Sequence, residues 1–208
     1  MLYQWSIEMC PTAKYVLKTD DDVFVDTYHL PQFLDRYRFD RKSNFLLCFV
    51  VKGNKPWRNE TGKWYVTKEE YAADEYPPYC AGPAYLTKIK TMKKILEKVQ
   101  TLSYLYIDDV LFTGIAAQNL TSHYDWTVSF LEYHEGDKEE LLSTNLADYT
   151  PELLVAMNLN SVDILTLFQK AKRCHYHASH CYKLLTKLPF QQMQPPKVTK
   201  ISHTKTEL

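Results

Sequence analysis

The sequence predicts an α/β fold, because segments with strand-like and helix-like patterns alternate along the chain. Residues 14–18 (KYVLK) form a short run of β-branched and aromatic side chains followed by acidic residues, which is typical of a buried strand. From Thr27 the pattern changes, and Leu30, Phe33 and Leu34 recur at helical spacing. A strand followed directly by a helix favours an α/β unit.

Later segments support the same fold class. Residues 44–51 (NFLLCFVV) are the most continuous apolar run and predict a central strand, and residues 63–67 predict another short strand. The segment 74–83 (DEYPPYCAGP) is rich in proline and glycine, which predicts a rigid, irregular loop before a strand at residues 84–87. Residues 88–102 alternate lysines with apolar side chains and predict an amphipathic helix.

Two further helices are expected in the remainder of the chain. Residues 110–119 can form a helix that is capped by Asp108 or Asp109. Residues 153–173 predict a longer helix that begins after Pro151. The tail from Pro189 onward is polar and contains several prolines, so we expect it to be disordered.

Composition excludes several function classes. The chain has 208 residues, 45% of them apolar, and 25 Lys plus Arg balance 25 Asp plus Glu. This charge balance gives no global electrostatic case for nucleic acid or an anionic membrane as the partner. No window approaches the ~20 consecutive apolar residues of a membrane helix, and the first ten residues do not have the pattern of a signal peptide. The five cysteines leave at least one thiol unpaired within the chain.

Three adjacent carboxylates, Asp20, Asp21 and Asp22, are the first candidate site. They follow the strand predicted at residues 14–18, and their mutual repulsion is offset if a cation lies nearby. Oxygen ligands suit Mg²⁺ or Mn²⁺, which take one or two carboxylates together with waters and substrate phosphates. The alternative is a solvated acidic turn with no ligand.

Asp108 and Asp109 form the second candidate site, at the point where a predicted loop enters a helix. A helix cap explains one acidic residue there without any function. A carboxylate at the edge of a pocket can instead act as general base toward a hydroxyl, with the neighbouring negative charge raising its pKa. Both interpretations remain open from the residues alone.

Other candidate residues give weaker signals. The run CHYHASHC from Cys174 to Cys181 contains possible zinc ligands, but its spacing matches no common zinc module, and a disulfide or plain surface histidines explain it as well. His134 ends a strand-like stretch and by default is an ordinary histidine. Five aromatic residues cluster around the proline- and glycine-rich loops: Trp57, Trp64, Tyr76, Tyr79 and Tyr85. We expect most of them in the core and one or two to stack on a sugar or a base.

Three segments in order, AKYVLKTDDDVFVD, then KWYVTKEEY with YPPYCAGPAYLT, then YIDDVLFTGI, carry a family resemblance. Together they resemble the motifs of the β-1,3-galactosyltransferase and β-1,3-N-acetylglucosaminyltransferase family, glycosyltransferase family 31. The resemblance covers roughly residues 5–134. It implies a GT-A fold, a Rossmann-like mixed sheet flanked by helices, and an inverting hexosyltransferase that uses a UDP-sugar and Mn²⁺.

The resemblance also implies roles for individual residues. It assigns the metal to Asp22 and Asp20, with His134 as a further metal ligand. It assigns nucleotide binding to Asp20, Asp21 and Lys18. A bound metal would act as a Lewis acid toward the leaving diphosphate.

Catalysis is assigned by the same resemblance to Asp109, with Asp108 beside it. Sugar transfer requires removal of the acceptor hydroxyl proton as positive charge develops at the anomeric carbon, which a carboxylate can do. Attack on the face opposite the leaving group inverts the anomeric centre.

The resemblance further predicts organisation, partners and location. It implies that residues 1–150 form a partial GT-A catalytic domain, incomplete at the N-terminus. The residue pattern, in contrast, predicts a helical C-terminal extension (151–188) and a disordered tail (189–208). UDP-galactose or UDP-N-acetylglucosamine is the expected donor, and a glycan on a glycoprotein or glycolipid is the expected acceptor. No nucleic acid partner is expected. The full-length product is expected on the lumenal side of the Golgi membrane, held by an N-terminal anchor that this chain lacks.

Two alternatives compete with the transferase interpretation. A truncated, non-catalytic relative would retain the fold and act as a binding module. A phosphatase of the haloacid dehalogenase type also places Asp-x-Asp after a buried strand, with Asp20 as nucleophile and Asp22 as acid. That class does not usually have a residue such as Phe24 at the matching position, and no convincing lysine motif follows.

Overall fold

The computed structural model describes residues 2–36, 44–125, 130–132, 142, 154–176 and 198–199, and the fold is mixed α/β. The chain divides into two compact units. The first comprises Met1–Lys18, Lys42–Asp125 and Lys197–Leu208, and the second comprises Thr19–Arg41 and Trp126–Pro196.

Eight strands and four α-helices, with one π-helical segment, make up the described part of the chain. The strands are β1 (Tyr15–Thr19), β2 (Phe24–Val25), β3 (Phe45–Val51), β4 (Tyr79–Lys88), β5 (Ser122–Asp125), β6 (Phe130–Glu132), β7 (Val155–Met157) and β8 (Val198–Thr199). The helices are α1 (Leu2–Met9), α2 (Leu30–Arg36), α3 (Ile89–Val99) and α4 (Ser161–Tyr176), and the π-helix is Val110–Ile115. Among these described helices, none is long and apolar enough to cross a membrane.

A five-stranded sheet in the order β1-β4-β3-β5-β8 forms the centre of the first unit. β3 pairs antiparallel with β4 and parallel with β5. The buried face of α3, which includes Met92 and Ile95, packs against Leu46 of β3 and Tyr85 of β4. The amphipathic pattern of residues 88–102 therefore correctly predicted a helix with one buried face.

The first two predicted strands are confirmed, with one difference. The run at residues 44–51 forms β3, in which Phe45, Leu46, Leu47 and Cys48 are fully buried. The run at residues 14–18 forms β1, but β1 is half-buried rather than buried. The reason is its place at the edge of the described sheet, where one side has no neighbouring strand.

The segment 74–83, predicted to be an irregular loop, contributes its second half to a strand. β4 begins at Tyr79, and its register with β3 passes from Cys48 opposite Tyr85 to Val50 opposite Cys80. β3 advances by two residues while β4 advances by five, which leaves three extra residues in a bulge of β4. A disulfide joins Cys48 to Cys80 across the pairing, a constraint that proline and glycine content does not reveal.

The strand predicted at residues 63–67 is not formed. Only an isolated bridge between Trp57 and Tyr65 occurs there. The Arg58 guanidinium donates hydrogen bonds to the carbonyls of Val66 (2.7 Å) and Thr67 (2.6 Å), and to those of Tyr71 and Ala73. A single side chain therefore takes the carbonyl groups that a neighbouring strand would have used.

A three-stranded sheet in the order β2-β7-β6 belongs to the second unit. Phe24 of β2 lies opposite Ala156 of β7, and both pack against Leu167 and Ala171 of α4. The helix predicted at residues 153–173 is therefore wrong at its start, because Val155–Met157 forms a strand.

A reciprocal cap explains where α4 begins. The N–H groups of Val162 and Asp163 donate to Asn160 Oδ1, and the Asn160 N–H donates to Asp163 Oδ2 (3.1 Å). This capping arrangement satisfies the free N–H groups of the first turn and fixes Ser161 as the first helical residue. Asn158, with φ of 60°, turns the chain between β7 and the cap.

Candidate functional site

The segment that carries Asp109 is helical, as the sequence predicts for residues 110–119, but it is a π-helix over Val110–Ile115. The Ala116 N–H donates to the Leu111 carbonyl at 2.9 Å, which is the i→i+5 bond of a π-helix. The Thr113 hydroxyl donates to the Asp109 carbonyl at 2.5 Å. A side chain thus competes for the carbonyl that a normal α-helical turn would use, which favours the wider turn.

Thr113 also connects Asp109 to strand β4. The Cys80 N–H donates to Thr113 Oγ1 at 2.9 Å, and Thr113 is fully buried. The backbone of Asp109 is therefore held through one hydroxyl by the residue that forms the disulfide with Cys48. This role of Thr113 was not predicted from the sequence, although a threonine four residues after an aspartate in a helical segment is a recognisable signal.

The Asp109 carboxyl is half-buried against the bulge of β4. Its Oδ1 accepts a hydrogen bond from the Val110 N–H at 2.8 Å. A Cβ atom added to Gly82 would lie 3.3 Å from its Oδ2, so the absence of a side chain at Gly82 permits the close approach. The carboxyl therefore acts as a local cap with one oxygen, and its other oxygen faces the bulge.

Burial raises the pKa of the Asp109 carboxyl above its ordinary value, and the charge of Asp108 raises it further. The Val110 N–H and the Lys18 ammonium act in the opposite direction. The net rise matches the direction expected for a general base that works near neutral pH. Asp108 itself is exposed.

Lys18, which the resemblance assigned to nucleotide binding, lies beside this carboxyl. Its Nζ donates a hydrogen bond to the Gly82 carbonyl at 2.5 Å. The side chain is half-buried at the end of β1. The structure thus brings Lys18, Gly82 and Asp109 together within the first unit.

Two tyrosines of β4 complete the surroundings of Asp109. Burial, the largest cause, and the charge of Asp109 both raise the pKa of the Tyr79 hydroxyl, which accepts a hydrogen bond from Asn54 Nδ2 at 2.6 Å. Burial together with Tyr3, Asp108 and Asp109 raises the pKa of Tyr85, whose hydroxyl contacts the Tyr3 hydroxyl. Both phenols therefore stay neutral near neutral pH.

Asp20, Asp21 and Asp22 lie in an exposed turn at the start of the second unit. The Asp22 carbonyl accepts a hydrogen bond from the Leu159 N–H at 2.9 Å, which anchors the turn through its backbone. All three side chains are exposed. The strand before this turn, predicted to be buried, is half-buried, and the turn itself is open to water.

Asp26 anchors the other end of this acidic segment. Its carboxylate is completely buried and accepts hydrogen bonds from the N–H groups of Tyr28 and His29, both at 3.0 Å. Its Oδ2 also lies 2.7 Å from His29 Nδ1. Asp26 therefore has a structural role as a cap before α2, unlike the three exposed aspartates.

The acidic turn carries the type of donor atom that a hard divalent cation prefers. Three exposed carboxylates supply oxygen ligands, and Mn²⁺ or Mg²⁺ accepts one or two of them while keeping waters and substrate phosphates. Within the part of the chain that the structure describes, no three acidic, histidine or cysteine side chains are grouped to enclose a metal. A metal here would consequently depend on oxygens from water and from the nucleotide. His134, the further predicted ligand, lies outside the described residues.

The other candidate residues are placed as follows. Cys174 is disulfide-bonded and fully buried, so its sulfur is not a thiolate available to zinc, and the run after Tyr176 lies outside the described residues. Cys10 is a free thiol. Trp57 and Trp64 are exposed on the loop that Arg58 holds, and a role in sugar stacking stays a prediction.

Comparisons with known proteins match the same region. The family model described as Galactosyltransferase matches residues 1–125. A lactosylceramide 1,3-N-acetyl-beta-D-glucosaminyltransferase A of Xenopus laevis is 39% identical over 119 residues, and the human lactosylceramide 1,3-N-acetyl-beta-D-glucosaminyltransferase is 36% identical over 121 residues. Human beta-1,3-galactosyltransferase 5 is 31% identical over 117 residues. These matches cover 57%, 58% and 56% of this chain, but the chain spans only 31%, 32% and 37% of the length of these relatives.

Proposed function

Because the chain belongs to the galactosyltransferase family, we propose that it takes part in transfer of galactose or N-acetylglucosamine from a UDP-sugar to a glycan hydroxyl in a β-1,3 linkage. The names of the relatives, which include β-1,3-galactosyltransferase and 1,3-N-acetylglucosaminyltransferase, support this reaction class. Neither the phosphatase nor the non-catalytic alternative is favoured by these comparisons. We further propose that the mixed sheet is part of a GT-A fold.

The observation that carries the proposal is the environment of Asp109. A general base must be ionised near neutral pH, yet basic enough to take a proton from a sugar hydroxyl. Asp109 meets both demands, because burial raises its pKa while Lys18 and the Val110 N–H favour the charged form. Its carboxylate would accept the acceptor proton as the hydroxyl oxygen attacks the anomeric carbon from the face opposite the diphosphate. That geometry inverts the anomeric centre.

We propose that Asp22 and Asp20 hold Mn²⁺ and that Asp20 and Asp21 contact the nucleotide. When bound, the metal supplies Lewis-acid stabilisation of the negative charge that develops on the leaving diphosphate. The exposed position of the three carboxylates supports this role, because waters and phosphate oxygens need free access to complete the coordination.

The acceptor and location are proposed from the same relatives. Relatives named for lactosylceramide suggest a glycan that ends in lactose, carried on a lipid or a protein, as the first acceptor to try. The lumenal side of the Golgi membrane is the proposed site of action.

Calorimetric titration of UDP into the 208-residue chain, with and without Mn²⁺, is the first test. We expect Mn²⁺-dependent binding that is lost in Asp22→Ala and retained in Asp35→Ala, which removes an exposed carboxylate from α2. UDP-galactose and UDP-N-acetylglucosamine are then assayed with lactose as acceptor. A folded wild-type chain that binds neither UDP nor either donor would contradict the proposal for this chain.

The same assays distinguish the alternatives. Mn²⁺-dependent UDP binding without sugar transfer to any lactose-terminated acceptor would favour a non-catalytic binding protein. Release of phosphate from a phosphomonoester, lost in Asp20→Asn, would favour the phosphatase. Transfer that is lost in Asp109→Asn supports the glycosyltransferase and its assigned base.

A further inference from the structure

We propose that Lys18 is a positioning residue for Asp109. Its ammonium group holds the Gly82 carbonyl and thereby fixes the bulge against which the Asp109 carboxylate lies. The same ammonium group places a positive charge beside that carboxylate. The inference rests on the proposed role of Asp109 as the base. It gives Lys18 a role different from the nucleotide binding that the sequence resemblance assigned to it.

Gly82 links Lys18 to the Asp109 carboxylate. Lys18 Nζ donates to the Gly82 carbonyl, and the position of a Gly82 Cβ lies 3.3 Å from Asp109 Oδ2. The register of β4 with β3 passes from Cys80 to Tyr85 with no residue paired to β3 between them, so Gly82 lies in the bulge that has no partner in β3. A bulge backbone is fixed less firmly by ladder hydrogen bonds than a regular strand. The hydrogen bond from Lys18 therefore restrains the backbone that contacts the carboxylate.

Asp109 is fixed from its other side by Thr113. The Thr113 hydroxyl donates to the Asp109 carbonyl and accepts from the Cys80 N–H, which lies at the start of the same bulge. The backbone of Asp109 and the surface that its carboxylate faces are thus both tied to β4. Lys18 completes this arrangement from the neighbouring strand β1.

The charges around Asp109 support the second part of the proposal. The groups that face it are Lys18 from β1, Tyr79 and Tyr85 from β4, and Asp108 from its own segment. Burial and Asp108 favour the protonated form of Asp109, the two phenols are neutral, and Lys18 is the positively charged member of this set. A cation held at a fixed position counteracts the cost of keeping a partly buried carboxylate ionised.

Titration of the Asp109 carboxyl carbon by NMR tests the proposal without any requirement for sugar transfer. Its signal is identified by its loss in Asp109→Asn. We expect the titration midpoint to move to higher pH in Lys18→Met, which removes the charge and the donor, and to stay near the wild-type value in Lys18→Arg. Lys14→Met is the matched control, because Lys14 is an exposed lysine immediately before β1, and its midpoint should not change.

A folded Lys18→Met protein with an unchanged Asp109 midpoint would overturn the proposal. If Lys18→Met does not fold, Lys18→Gln retains a donor while removing the charge, and an upward shift is still expected. A purely structural lysine would lower the melting temperature of the variants without moving the Asp109 midpoint.

Kinetics separate positioning from nucleotide binding. In Lys18→Met we expect kcat to fall by about tenfold or more, because a misplaced base loses effective alignment, with UDP affinity unchanged. The acid limb of the pH–rate profile should move to higher pH together with the NMR midpoint. Loss of UDP affinity without a change in the midpoint would instead make Lys18 a nucleotide ligand. A wild-type chain that transfers no sugar would count against the proposed function, while the NMR comparison would still decide the role of Lys18.

Discussion

Asp109 and the Asp20–Asp22 turn carry the same functional group, and the chain surrounds them in different ways. Asp109 is half-buried, and neighbours from β1, β4 and its own helical segment fix its position. The three aspartates of the turn are exposed, and the Asp22 carbonyl is anchored while its side chain is open to water. The two regions lie in different compact units.

This difference corresponds to two kinds of chemistry. A base gains from burial, because desolvation raises its proton affinity, and from rigidity, because it must meet one hydroxyl in one geometry. A carboxylate that takes Mn²⁺ with a nucleotide gains from access to water and phosphate oxygens. Under the proposed function, burial predicts which carboxylate moves a proton and which one holds a cation.

The largest expected effect is on transfer in Asp109→Asn. The amide keeps the size of the side chain and one oxygen acceptor for the Val110 N–H, but it cannot take a proton. We expect kcat to fall by about a thousandfold with Mn²⁺-dependent UDP binding unchanged. Initial rates and UDP calorimetry on the same preparation measure both. A variant that keeps most of its activity would remove Asp109 from the mechanism and end the contrast between the two regions.

The converse variant, Asp22→Ala, should affect binding first. We expect the affinity for UDP in the presence of Mn²⁺ to fall by about a hundredfold, with little change in metal-free binding. Asp35→Ala provides the control for loss of an exposed carboxylate. Equal UDP affinity in Asp22→Ala and wild type would show that the exposed turn is only a solvated loop.

The disulfide between Cys48 and Cys80 allows the buried region to be disturbed separately. It closes a sequence separation of 32 residues next to the bulge of β4. We expect the Cys48→Ala, Cys80→Ala double variant to lose about 2 kcal/mol of unfolding free energy. We also expect kcat to fall, because without the disulfide the Cys80 backbone N–H that donates to Thr113 is held less firmly. Denaturant unfolding and initial rates are the measurements, with Cys10→Ala, at the free thiol, as control. A double variant as stable as the control would show that the disulfide does not support this region.

The elements that sequence reasoning placed correctly depend on local pattern. The apolar run of β3 and the amphipathic spacing of α3 are visible within one window of residues, because burial on one or both faces dictates them. The sequence also located the two candidate sites along the chain. The acidic turn follows the strand-like run at residues 14–18, and Asp109 directly precedes the helix-like residues 110–119.

The missed features depend on distant partners. The early start of β4 requires pairing with β3 and a bulge, and the absence of a strand at residues 63–67 depends on the reach of Arg58. The contact of Gly82 with Asp109 joins residues that are far apart in sequence. The start of α4 is different, because the Asn160 and Asp163 cap was present in the sequence, and the continuous apolar residues before it outweighed that signal.

The smallest expected effect concerns stability, and it tests the cause of the contrast directly. Burial raises the folded-state pKa of Asp109 above its unfolded value. The folded state therefore holds a proton over a pH range in which the unfolded state has lost it, and this contribution to stability disappears as the pH rises through the folded pKa. At neutral pH the charged carboxylate thus costs stability, and the neutral amide of Asp109→Asn does not.

We expect Asp109→Asn to raise the melting temperature by a few degrees at most at about pH 7, and by less at about pH 3, where the wild-type carboxyl is largely protonated. Asp22→Ala, which removes an exposed carboxylate, is measured at the same two pH values for comparison. A melting temperature that falls in Asp109→Asn at neutral pH would mean that hydrogen bonding to the charged carboxylate outweighs its burial, and the two regions would then differ in exposure but not in the cost of their charge.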